Sequence, residues 1–533
     1  MCLIDMPWRR IGVLLAGLVA AAAAQGQEPA VASAPQGAQA AIAVPAGRPR
    51  IGLVLGGGGA KGAAHVGVIS LLEELRIPID CVVGTSMGAL VGGTYASGQT
   101  ADELLASILG ISWADAIAFK GYREKQPMRR KLAGVTYSNS LQFGVKDGNI
   151  TTPRGFINTQ NIEQTIKSLV SRSLGENDFD HLPIPFRAVA TDMQTGDMVV
   201  LSQGDLAQAM RASMAVPGIF APVNVDGKIL GDGGLTRNLP VDIARQTCAD
   251  VVIAVSVPNP PPTAEDLQSP LTLVGRTLDV LIEANEKQQL ATLGPQDVTI
   301  VVPMGEVTSA SFDKVAQAIP LGRAAAETHR AELLRYSLPA GEYAAWRAAH
   351  SRASKRNVRL AEVHVEGLER VSRDYVRNYL GLQAGQEVGQ KEIAEAMDRV
   401  FALDDFESVQ YELQGDPDNP TLAVHLREKS AMPNILRFDL GLAVGTDGNT
   451  AFSLSGDYLR PWINPLGGEV HGHLQFGRTS SGGVSLYQPL DERHAWFVEP
   501  GVYGSRSLED IYFDGDAITR YELEGIYGYF DVG

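Results

Sequence analysis

Hydrophobic positions along this 533-residue chain change period several times, and each change predicts a different element. Residues 51–55 are a short continuous apolar run that leads straight into Gly56-Gly57-Gly58-Gly59-Ala60-Lys61-Gly62. Val68, Leu71, Leu72 and Leu75 then recur at the i, i+3, i+4, i+7 spacing of a helix laid on a sheet. Pro78 ends that helix, and a second apolar run, 79–83, leads into Gly84-Thr85-Ser86-Met87-Gly88. Strand, helix and strand in this order predict a βαβ unit with a right-handed crossover and parallel neighbouring strands. The glycine-rich loop and the Ser86 turn are therefore expected side by side at one edge of the sheet.

From about 100 to 180 the pattern weakens, with helical stretches, a Lys/Arg-rich segment at 120–131 and a Gly/Asn/Thr-rich run at 146–152. Such segments suit either a mobile cover over a site or an ordinary surface insertion. Strands return at 186–190 and 198–201, joined by a turn at Thr195-Gly196. Asp205 is positioned to cap a helix through Ser213 that Pro217 stops. After a hairpin turn at Asp226-Gly227, an apolar strand ends in Asp232-Gly233-Gly234. A strand at 250–255, a long helix at 271–293, a strand at 298–302 and further helices close a first domain, 50–350, before the basic, polar stretch 351–356.

A second domain, 357–430, begins with an alternating strand at 358–365, followed by helices at 373–380 and 390–402 and strands at 406–412 and 421–426. In 434–533 apolar and polar residues alternate repeatedly, as at 438–442, 452–455, 470–474 and 521–524, among many Gly, Tyr and Phe. Alternating segments of about ten residues are the mark of an outer-membrane β-barrel, with a soluble β-domain as the competing reading. About six strands fit here, whereas a closed single-chain barrel needs at least about eight. A barrel completed elsewhere or a longer parent chain is expected, and we favour the second.

Composition narrows the partners. A net charge of −16 with no basic stripe argues against nucleic acid. Of three cysteines, Cys2 falls in a leader; Cys81 and Cys248 are too few for a disulfide framework and are expected to be buried structural thiols. Arg9 and Arg10 precede an apolar run, 11–24, that ends in alanines before Gln25, which predicts a signal peptide at 1–24; a retained anchor is the alternative. Residues 25–49, rich in Ala, Gln, Gly and Pro, predict a flexible linker.

The candidate chemistry centres on Ser86. G-x-S-x-G between a strand and a helix describes a nucleophile elbow, in which Gly84 and Gly88 make room for a tight turn. Gly57, Gly59 and Gly62 formally satisfy G-x-G-x-x-G, but the second strand ends in Gly84-Thr85-Ser86 and not in the acidic residue a dinucleotide site needs. A P-loop fails because Lys61 precedes Gly62. An anion hole remains: backbone N–H groups at a helix N-terminus, aimed at charge developing beside Ser86. Asp232, at a strand end with two glycines after it, is either the base for Ser86 or a turn residue. His329 would complete a conventional Ser-Asp-His set in chain order, but sits in a charged helical segment; His65 is expected to pack on the helix after the glycine loop, and His181 has no evident partner. No H-E-x-x-H and no cysteine cluster occurs, so neither metal nor cofactor is implied.

Together, Gly57-Gly58-Gly59-Ala60-Lys61-Gly62, Gly84-Thr85-Ser86-Met87-Gly88 and Asp232-Gly233-Gly234 resemble, in order and approximate spacing, the three-part signature of patatin-like phospholipases. That resemblance implies a three-layer α/β fold and lipid acyl hydrolysis by a Ser-Asp dyad. Ser86 would be the nucleophile, Asp232 the general base, and Gly57, Gly58 and Gly59 the oxyanion hole, with Gly62, Gly84, Gly88, Gly233 and Gly234 completing the motifs. Lys61 stands where the family more often has Arg. The β-α-α-β-β order of the second domain resembles a small α+β POTRA module, which docks other chains by strand addition. The whole resembles the type Vd autotransporters, which join such a hydrolase to a POTRA domain and a transmembrane β-barrel. By that resemblance the protein is a phospholipase A-type enzyme exported to the outer membrane, its hydrolase domain at the cell surface or secreted. The partners implied are phospholipid substrate, outer-membrane lipid, the barrel-assembly machinery and a second copy in a homodimer. A secretion or assembly factor with an inert passenger is the contrasting reading.

Overall fold

The computed structural model describes residues 47–117, 126–131, 141–146, 149–151, 159–173, 175–260, 262–263, 267–352, 357–416, 419–429, 434–444, 450–513 and 516–533. The expected signal peptide, most of the linker, and parts of the 120–131, 146–152 and 351–356 stretches lie outside them. Residues 49–533 hold together as one unit.

The first sheet grows from the βαβ unit read in the sequence. β1 (Ile51–Leu55) leads through the glycine loop to α1 (Ala64–Glu74), then to β2 (Cys81–Thr85) and α2 (Met87–Ala96). β1 and β2 run parallel with Leu55 opposite Gly84, so both loops leave the same edge. Two strands of the weakly patterned stretch follow, β3 (Leu141–Lys146) and β4 (Asn149–Thr151), then helix α3 (Thr159–Leu169). The sheet resumes with β5 (Phe186–Asp192) and β6 (Met198–Leu201), helix α4 (Leu206–Ser213), and the hairpin of β7 (Val223–Val225) and β8 (Lys228–Asp232). It closes with β9 (Val251–Ser256), the long helix α5 (Pro270–Leu290) and β10 (Val298–Val301). The strand order is β10-β9-β1-β2-β5-β8-β7, with β6 on β5. The run from β10 to β5 is parallel, whereas β6, β7 and β8 are antiparallel to their neighbours.

Every residue of β1, β2 and β9 is buried, as expected of parallel strands covered on both faces. Alternate residues feed two separate cores. Leu53, Leu55, Val82, Ile253 and Val255 join one apolar cluster; Val54, Val83, Val189, Val252 and Ala254 join the other. Helix, sheet and helix thus form three layers.

The cysteine expectation needs correction. Cys81 and Cys248 are bonded to each other, their Cα atoms 6.3 Å apart and 167 residues distant in sequence. The count rules out a framework but not one bridge: Cys81 opens β2, and Cys248 ends the helix Val241–Thr247 that packs on that strand. Cys81→Ser is expected to lower unfolding stability by about 2–5 kcal/mol, read from urea unfolding; an unchanged midpoint would show that the bridge carries no stability.

The α+β module has its own core. Its elements are β11 (Val358–Arg359), β12 (Glu362–Glu366), α6 (Arg373–Leu380), β13 (Glu387–Val388), α7 (Gln390–Phe401), β14 (Phe406–Gln414) and β15 (Thr421–Glu428). β15 pairs parallel with β12 and antiparallel with β14. The strand expected at 358–365 is broken into β11 and β12, and the two-residue β13 is too short to show a period and escaped the sequence reading.

The C-terminal residues form six antiparallel strands: β16 (Asn434–Val444), β17 (Thr450–Arg460), β18 (Glu469–Gly477), β19 (Thr479–Pro489), β20 (Phe497–Phe513) and β21 (Asp516–Val532). β3 adds to β16 with five residues in register, Asn434 opposite Val145 through Phe438 opposite Leu141, and β4 pairs with β3. Residues 141–146 and 149–151, read as part of a cover or surface insertion, instead lengthen the C-terminal sheet. One face of this sheet exposes Leu440, Phe452, Leu454, Leu474, Phe476, Val484, Val502, Ile526 and Phe530 to solvent. The opposite face carries polar residues, including Asp457, His473, Ser485 and Glu499, which bond to one another across strands. This reverses the polarity of a sheet packed on an apolar core.

Candidate active site

The turn after β2 has one backbone solution. Ser86 takes φ 54° and ψ −123°, a left-handed conformation that a β-carbon disfavours and that surrounding contacts must hold. A β-carbon at Gly84 would stand 2.5 Å from the Gly88 carbonyl oxygen, and one at Gly88 would collide with the Leu55 carbonyl. Only glycines let β1, the turn and α2 approach this closely. The Ser86 N–H donates to Ser213 Oγ at 2.9 Å, and Ser213 Oγ donates to the Val189 carbonyl at 2.5 Å. Ser213 ends α4, 127 residues beyond the elbow, and no local signal pairs the two. Ser213→Ala would leave the buried Ser86 N–H unpaired at a cost of about 1–3 kcal/mol. Fluorophosphonate labelling is expected to slow accordingly and to recover in Ser213→Thr; labelling at the unaltered rate in Ser213→Ala would show the bond to be dispensable.

β8 delivers Asp232 to the same edge. Ala190 of β5 lies opposite Asp232, and the Thr191 hydroxyl donates to the Asp232 carbonyl at 2.8 Å. The carboxylate accepts the Gly234 N–H at 2.7 Å and lies close enough to the Ser86 hydroxyl to be stabilised by it. Burial pushes its pKa up to about 6, with the Gly234 N–H and the neighbouring Ser86 hydroxyl opposing the rise. Ser86 is 7% and Asp232 6% exposed, so the pair lies nearly out of solvent. Among the described residues no histidine bonds to the Asp232 carboxylate. His329 instead pairs with Glu332 at 3.4 Å beside a four-residue helix. His65 is fully buried, and its Nε2–H donates to the Gly56 carbonyl at 2.8 Å; burial lowers its pKa to about 4, which keeps the ring neutral.

The glycine loop lies against the elbow. A β-carbon at Gly57 would stand 2.6 Å from Asn238 Oδ1 and 3.2 Å from Ser86 Cβ. Gly59 has φ +56°, and a β-carbon there would run into the Ser309 carbonyl, which accepts the Ala60 N–H at 2.9 Å. Gly59 opens a short 3-10 helix, Gly59–Ala63, with Gly58 as its N-cap, so their N–H groups belong to the donors that an N-terminus leaves without intrahelical partners. The Gly57 N–H already contacts the Asn238 carbonyl at 3.3 Å, which makes Gly58 and Gly59 the freer donors of the three proposed for the hole. At Gly62 a β-carbon would meet Met87 Cγ at 2.5 Å, so this glycine keeps the loop on the elbow. Gly233 lies against the Val189 carbonyl, and Gly234 supplies the N–H to Asp232.

Lys61 points away from Ser86. Its ammonium donates to the Val257 carbonyl at 2.7 Å, and burial lowers its pKa to about 8 against the pull of Asp279, Glu286 and Glu283. It therefore braces the loop from behind. Helix α5 fixes the rest of the site with polar side chains. Asn285 accepts the Asn238 N–H at 2.9 Å and donates to the Gly234 carbonyl at 3.0 Å. Glu286 accepts the Asn238 side-chain amide at 2.6 Å and the Ser256 hydroxyl. Sequence reasoning missed Ser213, Asn238, Asn285 and Glu286; Asn238, six residues after Asp232, is the one a local motif could have flagged.

A buried serine hydroxyl, a carboxylate able to take its proton and unpaired N–H donors beside them are the parts of an acyl-transfer site. The comparisons agree with that class. Residues 53–245 match the family described as Patatin-like phospholipase, so the chain carries a patatin-like domain. A patatin-like phospholipase domain-containing protein of Caenorhabditis elegans is 38% identical over 209 residues, 39% of this chain and 13% of that protein. An uncharacterized NTE family protein of Mycobacterium bovis is 35% identical over 209 residues, 39% of this chain and 49% of that protein. The chain thus spans about half or less of these curated relatives. Among solved structures, VipD from Legionella pneumophila is 18% identical with TM-score 0.31, covering 54% of this chain and 67% of its own. BamA from Haemophilus ducreyi is 11% identical with TM-score 0.19, covering 33% of this chain and 44% of its own. The domain assignment rests on the sequence match and not on these superpositions.

Proposed function

We propose that the chain is a lipid acyl hydrolase that cleaves phospholipid carboxylic esters through Ser86. Asp232 removes the Ser86 proton as the hydroxyl attacks the ester carbonyl, and the N–H groups of Gly58 and Gly59, with Gly57 beside them, stabilise the oxyanion. The acyl-enzyme forms as the lysolipid alcohol leaves with the proton, and water activated by Asp232 then releases the fatty acid. The observation that carries this reading is the buried Asp232 carboxylate set beside Ser86 and the glycine loop, with no histidine bonded to it among the described residues. The patatin-like match supports a phospholipid as the class of substrate.

The domains keep the proposed roles: hydrolase at 50–350, POTRA-like module at 357–430, and membrane-seated barrel strands at 434–533. The exposed apolar face of the C-terminal sheet favours contact with lipid chains over a soluble β-domain. A Cys81–Cys248 bond suits an oxidising compartment, in keeping with export. Surface display would require the hydrolase domain to leave its present seat, because it and the 357–430 module meet the same end of the sheet. The test is release of fatty acid from phospholipid vesicles of defined headgroup by the purified chain, with Ser86→Ala as control. Release that persists in Ser86→Ala, or none from the unaltered chain, would refute the reading; in the second case an inert passenger on an assembly factor becomes the better account.

A further inference from the structure

Arg129 and Arg130, from the basic stretch singled out in the sequence, hold a largely enclosed ionic cluster away from Ser86. Arg129 Nε donates to Glu469 at 2.9 Å, and its Nη1 donates to Glu499 at 2.9 Å. Its guanidinium lies 3.7 Å from the centre of the Tyr487 ring. Arg130 Nη2 meets the other oxygen of Glu469 at 2.9 Å and Asp405 at 3.4 Å, while its Nε donates to the Leu403 carbonyl at 3.3 Å. Asp405 is also fixed by the Trp462 indole N–H at 3.0 Å. The side chains of Glu469 and Asp405 are only 6% and 5% exposed.

The socket is therefore built from two modules, and both arginines come from a third. Glu469, Glu499 and Tyr487 belong to the C-terminal sheet, and Leu403 and Asp405 to the α+β module. Two further contacts lie apart from it, and the socket acts together with them: β3 pairs with β16 over five residues, and α3 meets the α+β module. The side chain of Gln160, on α3, donates to the Val409 carbonyl at 2.9 Å and accepts the Val409 N–H at 3.1 Å, and Lys167 donates to the Tyr411 carbonyl. A buried ion cluster contributes little net stability, but removing one partner strands charge out of water, so it selects for its own complement. We infer that Arg129 and Arg130 are a charge-specific latch that seats the hydrolase domain on the C-terminal modules independently of the covalent junction at 350–357. Cutting the chain at that junction would then leave the enzyme bound.

The test replaces residues 353–356 of the full chain with a site-specific protease sequence and follows the two fragments by size-exclusion chromatography in detergent after cleavage. The unaltered latch is expected to keep them co-eluting, whereas Arg129→Glu with Arg130→Glu is expected to weaken their affinity by at least about a hundredfold and separate them. Pairing Arg130→Glu with Glu469→Arg is expected to restore part of the association that Arg130→Glu alone loses. Separation of the unaltered fragments, or co-elution of the double-glutamate variant, would overturn the latch. Failure of the charge swap to recover any association would also count against it, since misfolding would then explain the loss. The readout is association, so the result does not depend on whether Ser86 is catalytic.

Discussion

Asp232→Asn is expected to lower kcat by at least about a thousandfold, within reach of the loss from Ser86→Ala, while leaving the fold intact. The amide keeps the shape of the carboxyl group but cannot take a proton. With no histidine on this carboxylate among the described residues, nothing stands ready to replace it. The same group sets the pH dependence. Burial pushes Asp232 up to about 6, and the base works only when ionised. Activity should therefore fall as pH drops through about 6 and level off above it, and this inflection should vanish in the residual activity of Asp232→Asn. Steady-state assays from pH 4.5 to about 8.5 check both points. A fully active Asp232→Asn enzyme, or a flat profile across pH 6, would remove Asp232 from the mechanism.

Gly57→Ala is expected to reduce kcat by about 10²–10³ with a smaller change in KM. A methyl group there would stand 2.6 Å from Asn238 Oδ1, whose amide is held by Glu286 and whose backbone is held by Asn285, so it has little room to yield. The loop must shift instead, carrying the Gly58 and Gly59 N–H groups off the position an oxyanion would occupy. Binding of the lipid chains does not depend on those donors, which is why the loss should fall on kcat. A normal kcat with a raised KM would mean that the loop shapes the substrate pocket and does not stabilise charge.

What the chain discloses on its own depends on how far apart the interacting residues lie. β1, the glycine loop, α1, β2 and the Ser86 elbow were legible because apolar period, glycines and Pro78 occur within about forty residues and fix one βαβ unit. Asp232 was legible as a carboxylate at a strand end, although only its seating beside Ser86 separates a base from a turn residue. The strand-helix-helix-strand-strand order of 357–430 was legible from its periods, apart from the break between β11 and β12 and the short β13. The remaining features join residues that no local pattern connects. Ser213 holds Ser86 across 127 residues, Cys81 meets Cys248 across 167, and Arg129 reaches Glu469 across 340. Strand β3 was missed for a related reason: its partner β16 lies almost three hundred residues downstream, and its own stretch has no sustained alternation. The Lys/Arg-rich segment was noticed for its charge, but the partners of its Arg129 and Arg130, among them Glu469, Glu499 and Asp405, lie far along the chain.

The central claim is that Ser86 is an activated nucleophile, and covalent labelling tests it most directly. The folded full chain should react with a fluorophosphonate to give one adduct, located on Ser86 by peptide mass spectrometry and lost in Ser86→Ala. No adduct on the folded chain, or an adduct elsewhere that persists in Ser86→Ala, would contradict the account.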